Sequence, residues 1–508
     1  MKKYGRMKKV FRKGMSLFLA AGLLLSVSGC GSPEEAADQS GTAQTAEEPS
    51  AAGGAGEDVA VSSKIDSGGD GISSVGADSG ALSDGEDSQA DSQPGGAGGS
   101  QPDGTGKGSQ NGANSQPESA AVADFGLRLL GVCMEKAKDP FPPGASMPQD
   151  VYAEIEAGKN VLISPLSIIS ALAMTGGGAK EETLRQMEEV FGMSVPELSA
   201  FLAAYQGGLP AGENYRLSMA NGIWFTEDER FAVEPEFLQA CEDSFGASAR
   251  RAPFDQSTLK EINGWVKDNT EGMIEEILDE IPMDAVMYLV NALAFDAEWE
   301  RIYHDYEVRE GDFTKEDGTV QQAEMMYSEE NQYLEDEHAA GFLKYYADRK
   351  YAYAALLPKE GMSVAEFVAT LDGEKLRNIL ANPTQLQVNA AIPKYENEYS
   401  AELSDILQEM GMADAFDMAR ADFSGIGSSS EGNLYISRVL HKTFIAVDER
   451  GTKAGAATAV EMKRESAVME DYIRTVYLDR PFLYMIVDCE QNLPIFMGTV
   501  AGVQEPDR

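Results

Sequence analysis

The chain has 508 residues, with 84 acidic against 41 basic side chains, a formal net charge of -43 and a pI near 4.3. Such a balance repels phosphate backbones, and no basic patch interleaved with aromatics follows the first residues, so nucleic acid is excluded as a partner and the acidity reads as solubility. The only histidines are His304, His338 and His441. With no Gly-x-Ser-x-Gly, His-Glu-x-x-His or clustered Cys/His spacing, hydrolase and metalloenzyme readings are excluded too, and neither metal nor cofactor is implied.

At the amino terminus Lys2, Lys3, Arg6, Lys8, Lys9, Arg12 and Lys13 precede an apolar run from Leu17 to Val27. The run is well short of the ~20 residues that span a bilayer, so the pair reads as an export signal. It ends in Val27-Ser28-Gly29-Cys30, which resembles the bacterial lipoprotein box. That resemblance implies a signal peptide over 1–29, lipid on Cys30, and a protein held at the outer face of the bacterial cell membrane, outside the cell.

Residues 31–120 are dominated by Gly, Ser, Ala and acidic side chains and contain no Phe, Trp or Tyr. Nothing there can offset ordering entropy, so a disordered tether with a root-mean-square span of roughly 50–60 Å is expected. Once Cys30 is set aside, Cys133, Cys241 and Cys489 remain, an odd number that makes no disulfide framework and reads as core thiols. No second linker follows, so residues 121–508 are expected to form one domain.

Within that domain, Phe125 to Lys136 has helical spacing of apolar residues. Pro140-Phe141-Pro142-Pro143-Gly144 breaks it as a loop. A short strand from Val161 ends at Ser164, a good N-cap, with Pro165 at the first helical position where it loses no hydrogen bond. Gly176-Gly177-Gly178 is not followed by Gly-Lys-Ser/Thr, so it reads as a helix terminator and not a phosphate loop. Glu181 to Met187 resumes a helix, Leu217 to Phe225 alternates as a strand, and Tyr288 to Phe295 is an apolar run of strand length, buried on both faces. Two closing strands are expected around Phe482–Ile486 and Ile495–Val500.

The most informative stretch is His441 to Met462. Phe444, Ile445 and Val447 make a strand that meets the break Asp448-Glu449-Arg450-Gly451. A second period-two run follows, with Thr452, Ala454, Ala456, Thr458, Val460 and Met462 on one parity and Lys453, Glu461 and Lys463 on the other. Alanine is a poor strand former, so a buried face built from it suits a segment that must slide between strands already in place.

This stretch resembles the hinge and reactive-centre loop of the serpins, whose pattern Glu-x-Gly-Thr-x-Ala-x-Ala-Ala-Thr is matched by Glu449, Gly451, Thr452, Ala454, Ala456, Ala457 and Thr458. Arg450, Lys453 and Gly455 depart from its usual residues. Further matches run from about Phe125 to Val500: Asn160 with Ser164-Pro165-Leu166-Ser167, Ile262-Asn263-Gly264-Trp265-Val266 with Thr270, and Leu289-Val290-Asn291-Ala292 with Phe295 and Trp299. Later ones are Met325-Met326, Leu357-Pro358-Lys359-Glu360-Gly361, Ile392-Pro393-Lys394-Tyr395 and Arg480-Pro481-Phe482.

The resemblance implies an α+β serpin fold with three β-sheets, about eight to nine helices and an exposed loop. It implies a shutter cluster of Ser164, Ser167, Asn291 and His441, and a breach where Trp299 and Lys394 meet Glu449. Family spacing puts the cleaved bond between Glu465 and Ser466, with Arg464–Glu465 as the alternative. The implied function is a monomeric suicide inhibitor of a serine protease, or of a cysteine protease, and the alternative is a serpin-folded surface protein that binds or displays without inhibiting. The hinge favours inhibition, because neither Pro nor a charge stands at the inward positions from Thr452 to Met462.

Overall fold

The computed structural model describes residues 117–138, 160–209, 215–270, 272, 274–452 and 473–503, together with the backbone of residues 17–27. In chain order the strands are β1 (Leu17–Val27), β2 (Val161–Ile163), β3 (Tyr215–Thr226), β4 (Phe231–Val233), β5 (Ser248–Ala252), β6 (Ala285–Glu298), β7 (Val308–Thr314), β8 (Val320–Glu335) and β9 (Ala339–Tyr345). They continue as β10 (Tyr351–Pro358), β11 (Thr384–Pro393), β12 (Tyr395–Glu402), β13 (Gly427–Ser429), β14 (Leu434–Val447), β15 (Gly451–Thr452), β16 (Ile473–Tyr477), β17 (Phe482–Asp488) and β18 (Leu493–Val500). Nine helices occur among the described residues: α1 (Pro117–Lys138), α2 (Pro165–Gly176), α3 (Glu181–Phe191), α4 (Val195–Gly207), α5 (Pro235–Phe245), α6 (Gln256–Asn269), α7 (Val364–Val368), α8 (Gly373–Ala381) and α9 (Ser404–Glu409).

These strands form three sheets. The seven-stranded sheet runs β12, β14, a position shared by β15 and β1, then β6, β3 and β5. Its neighbours are antiparallel except for the β3–β5 pair. The nine-stranded sheet runs β16, β11, β8, β9, β10, β17, β18 and β2, with β7 on β8, and β4 with β13 makes the third.

The reasons for the central packing are local. Ser164 caps α2, its hydroxyl accepting from Ser167 N at 3.2 Å, and Pro165 opens the helix. Every residue from Pro165 to Gly176 is buried, because α2 packs against β6 of one sheet and β18 of another. An apolar run with no wet face is what such a place selects. Strands β10, β17 and β18 are buried along their whole length for the same reason, and β6 nearly so.

Two sequence expectations shift. Helix α1 begins at Pro117, before the expected boundary at 121, because Ser119 and Ala120 are already buried. The run Leu17–Val27, read as the apolar part of an export signal, is here strand β1. It pairs with β14 from Phe18↔Phe444 to Val27↔Leu434, and with β6 from Leu17↔Phe295 to Ser26↔Ala285. A short apolar run without Pro or charge has no periodicity that separates strand from helix, and two open strand edges decide for the strand. Cys30, residues 31–116 and the loop 140–144 lie outside the described residues.

Cys133 and Cys241 are buried free thiols that burial pushes up to about 11 and about 12, whereas Cys489 is only partly buried. Among the described residues no helix is long and apolar enough to cross a membrane.

Candidate functional site

Strand β14 ends at Val447, and the chain turns back within four residues to start β15. Asp448 makes that turn: its Oδ1 accepts from Arg450 N at 2.8 Å and Gly451 N at 3.2 Å, and its own N–H donates to Gly451 O at 3.1 Å. Burial raises its carboxyl above the ordinary value, and neighbouring Glu449 adds to the rise against those two N–H donors. Gly451 is required here, because a Cβ would stand 2.2 Å from Ala297 O. Strand β15 is thereby seated in the sheet, with Thr452 paired to Val447 on one side and Ala297 on the other. Thr452 is fully buried, and its hydroxyl is hydrogen-bonded to the Tyr346 hydroxyl.

The turn is tied to the sheet by backbone bonds. Trp299 N donates to Arg450 O and the Trp299 indole N–H to Asp448 O, both at 2.9 Å, while Tyr303 N donates to Glu449 O at 2.8 Å. Lys394 Nζ lies 2.8 Å from Glu449 Oε2. Burial alone would raise the Glu449 carboxyl, but the Lys394 ammonium outweighs it and holds it below its ordinary value. Lys394 goes up in turn: burial would lower it, and Glu449 with Glu324 overrides that.

Trp299 stacks on Tyr346 at 4.5 Å between ring centroids. Lys344 stands 5.4 Å from the Trp299 ring and 4.3 Å from the Tyr303 ring, and forms a buried pair with Glu330 at 2.9 Å.

Further down the same sheet lies a polar cluster inside an apolar core. Ser164 Oγ donates to Ile495 O at 2.8 Å, and Ser167 Oγ donates to Asn291 Oδ1. Asn291 Nδ2 donates to Asn221 Oδ1 at 2.8 Å, and Asn221 Nδ2 to Phe245 O at 2.9 Å. Through these bonds α2, β6, β3 and the end of α5 are joined by side chains that are all buried. His441 on β14 faces the same cap: Ser164 N donates to its Nε2 over a long 3.4 Å. Burial pushes this imidazole down to about 3, so it is neutral at physiological pH, and its Nδ1 has no partner.

A two-residue strand thus stands between β14 and β6 at one end of the sheet, and a buried polar cluster, partnered except at His441 Nδ1, lies along the same two strands. The family model described as serpin (serine protease inhibitor) matches residues 146–503. The chain belongs to the serpin family. An uncharacterised serpin-like protein of Thermococcus kodakarensis is 31% identical over 368 residues, covering 70% of this chain and 84% of the relative. Serpin B8 of Homo sapiens is 32% identical over 362 residues, covering 68% of this chain and 94% of the relative. Among solved structures, the thermophilic serpin tengpin in its native state is 42% identical with a TM-score of 0.66, covering 76% of this chain and 95% of that one.

The serpin fold brings Ser164, Ser167, Asn291 and His441 to one place, and Glu449, Lys394 and Trp299 to another. Gly451 and Thr452 stand between β14 and β6. The run from Thr452 reads in sequence as a segment that must slide between strands; in this serpin Thr452 already pairs on both sides, because the Asp448 turn returns the chain directly between β14 and β6. Ala454, Ala456, Ala457, Thr458, Arg464, Glu465 and Ser466 lie outside the described residues. Asn221, Lys344, Glu330 and Tyr346 escaped sequence reasoning. For Lys344 a signal exists, the lone charge in a strand that is otherwise apolar, whereas Asn221 shares its strand with Arg216 and Ser218 and nothing marks it out.

Proposed function

We propose that this serpin is not an enzyme but a monomeric suicide inhibitor of a serine protease, held outside the cell by lipid on Cys30. The observation that supports it most is β15. Thr452 pairs with both walls of the gap, and the residues next in line on its parity, Ala454, Ala456 and Thr458, are small and uncharged. A strand of that composition can follow Thr452 into the sheet without stranding a charge or losing a backbone donor to Pro.

The chemistry begins as ordinary proteolysis. The target's serine oxygen attacks the carbonyl carbon of Glu465, the bond to Ser466 breaks, the Ser466 amine departs with a proton, and Glu465 remains esterified to the protease. Two outcomes then compete. Water can hydrolyse the ester and release a cut serpin, or the freed loop can enter the gap first and drag the acylated protease across the molecule, distorting its catalytic centre. Cleavage one residue earlier, between Arg464 and Glu465, would change the target from a Glu-preferring to a trypsin-like protease.

The experiment is a protease panel read by denaturing electrophoresis and mass spectrometry. Inhibition requires a detergent-stable complex, and the new amino terminus identifies the cut. If every protease that cuts the loop leaves free and active, the protein is a surface binding or display protein with a serpin fold.

A further inference from the structure

We infer that the apolar run Leu17–Val27 is an intramolecular plug that, in the chain whose signal has not been removed, occupies the strand position that the cleaved loop must take. The inference rests on the inhibitory reading for its consequence and on strand register for its geometry. Thr452 pairs with Ala297 of β6 and with Val447 of β14. Continuing that strand downwards, the residue two further on, Ala454, would stand opposite Phe295, and the one after it, Gly455, opposite Phe444. In the structure Leu17 pairs with Phe295 and Phe18 with Phe444. Strand β1 therefore runs in the direction of the inserting loop and continues the register of β15, leaving only the place of Lys453 between them.

The coincidence extends over the length of the gap. Leu19, Ala21, Leu23 and Leu25 of β1 pair with Leu293, Asn291, Leu289 and Met287 of β6. On the same register those positions belong to Ala456, Thr458, Val460 and Met462 of the loop. Ala21 also pairs with His441, so a small residue takes the register position beside both Asn291 and His441. Loop and plug are antiparallel to the same two strands and cannot both be present.

Physical chemistry favours the plug before cleavage. An empty gap leaves the facing edges of β6 and β14 unpaired, and a strand that pairs on both sides satisfies them. The plug has no charged residue in its 11, whereas residues 454–464 of the loop, which match it on this register, carry Glu461, Lys463 and Arg464. The plug also sits in the same chain, so its effective concentration at the gap does not depend on the concentration of protein. Removal of residues 1–29 would then arm the inhibitor, and an unprocessed chain inside the cell would not trap proteases there.

The test uses the full 508-residue chain, made by cell-free synthesis without membranes so that nothing is cleaved, beside the same chain carrying Leu19→Glu and Leu23→Glu. In the unsubstituted chain, hydrogen exchange should find the amides of residues 18–26 protected together with their partners on β6 and β14. In the double variant these amides should exchange at least tenfold faster, and melting should occur at lower temperature. A protease that cuts the loop should be released by the unsubstituted chain and trapped by the variant. Unprotected leader amides in the unsubstituted chain overturn the inference without recourse to the variant, and so does a trapped complex formed to the same extent by both chains. If the leader is protected and exchange differs as stated but neither chain traps, the plug stands and the inhibitory reading fails.

Discussion

Lys394 holds Glu449 at 2.8 Å with 23% and 40% of the two side chains still in contact with solvent. Were the pair fully buried, loss of one partner would strand a charge at a cost on the order of 3 kcal/mol. The exposure lowers that figure. Solvent screens the stranded carboxylate, so Lys394→Met should cost about 1 kcal/mol. The sign with pH follows from the two shifts. Glu449 is depressed, so its contribution is full above ~4.3 and is lost as pH falls through the folded value; Lys394 is raised, so its contribution is full below ~10.4 and is lost as pH rises beyond it. Thermal unfolding at pH 7 in low and high salt measures it, and a variant as stable as the parent in both would sink the prediction.

Lys344 and Glu330 make the contrasting case. Their side chains are 3% and 14% exposed at 2.9 Å, so screening is weak. Lys344→Met should cost about 3–5 kcal/mol, since Glu330 keeps only its bond from Ser328. The measurement is the denaturant midpoint at unchanged slope. A loss no larger than that of Lys394→Met would show that water reaches Glu330.

His441 should make stability depend on acid. Its folded value is depressed to about 3 by burial, so between about 6.5 and 3 the unfolded chain binds a proton that the folded chain refuses. Stability is therefore complete above ~6.5 and falls by about 1.4 kcal/mol for each pH unit below it. In His441→Asn the profile between pH 6.5 and 5, above the range of most carboxylates, should be flat. An unchanged slope there would mean that His441 is not the group responsible.

The seat of Thr452 changes how insertion is tested. Thr452→Arg places a cation at a fully buried site beside Tyr346, so it should destabilise the uncleaved protein by several kcal/mol. Ala456→Arg is the better probe. It should leave uncleaved stability unchanged and turn the inhibitor into a substrate, cut at the same bond without a trapped complex, because at about 1.4 kcal/mol per tenfold the desolvation of an unpaired charge slows insertion by orders of magnitude. Trapping by Ala456→Arg equal to the parent would end the insertion mechanism.

Cys30→Ser should release the protein from the membrane fraction while the melting temperature of the folded domain stays the same. Retention after signal removal would show that lipid on Cys30 is not the anchor.

What could be read from the chain alone was whatever a residue's own backbone preference or a regular spacing encodes. Ser164-Pro165 announces a helix start because a hydroxyl cap and a fixed φ act within one turn, and Asp448 to Gly451 announces a break after β14 because such residues favour turns. The alternation after Gly451 announces a strand with one buried face, while the family was legible only by resemblance, through ordered motif matches from Phe125 to Val500. The tertiary structure alone decided which of these elements share space. Nothing local says that Asn221 meets Asn291, that Lys344 meets Glu330, or that Thr452 already has strands on both sides. It also decided that Leu17–Val27, apolar enough for an export signal, pairs as a strand between β6 and β14. The physical reason is that burial, hydrogen-bond satisfaction and strand pairing belong to pairs of residues distant along the chain, and depend on which edges the rest of the fold leaves open.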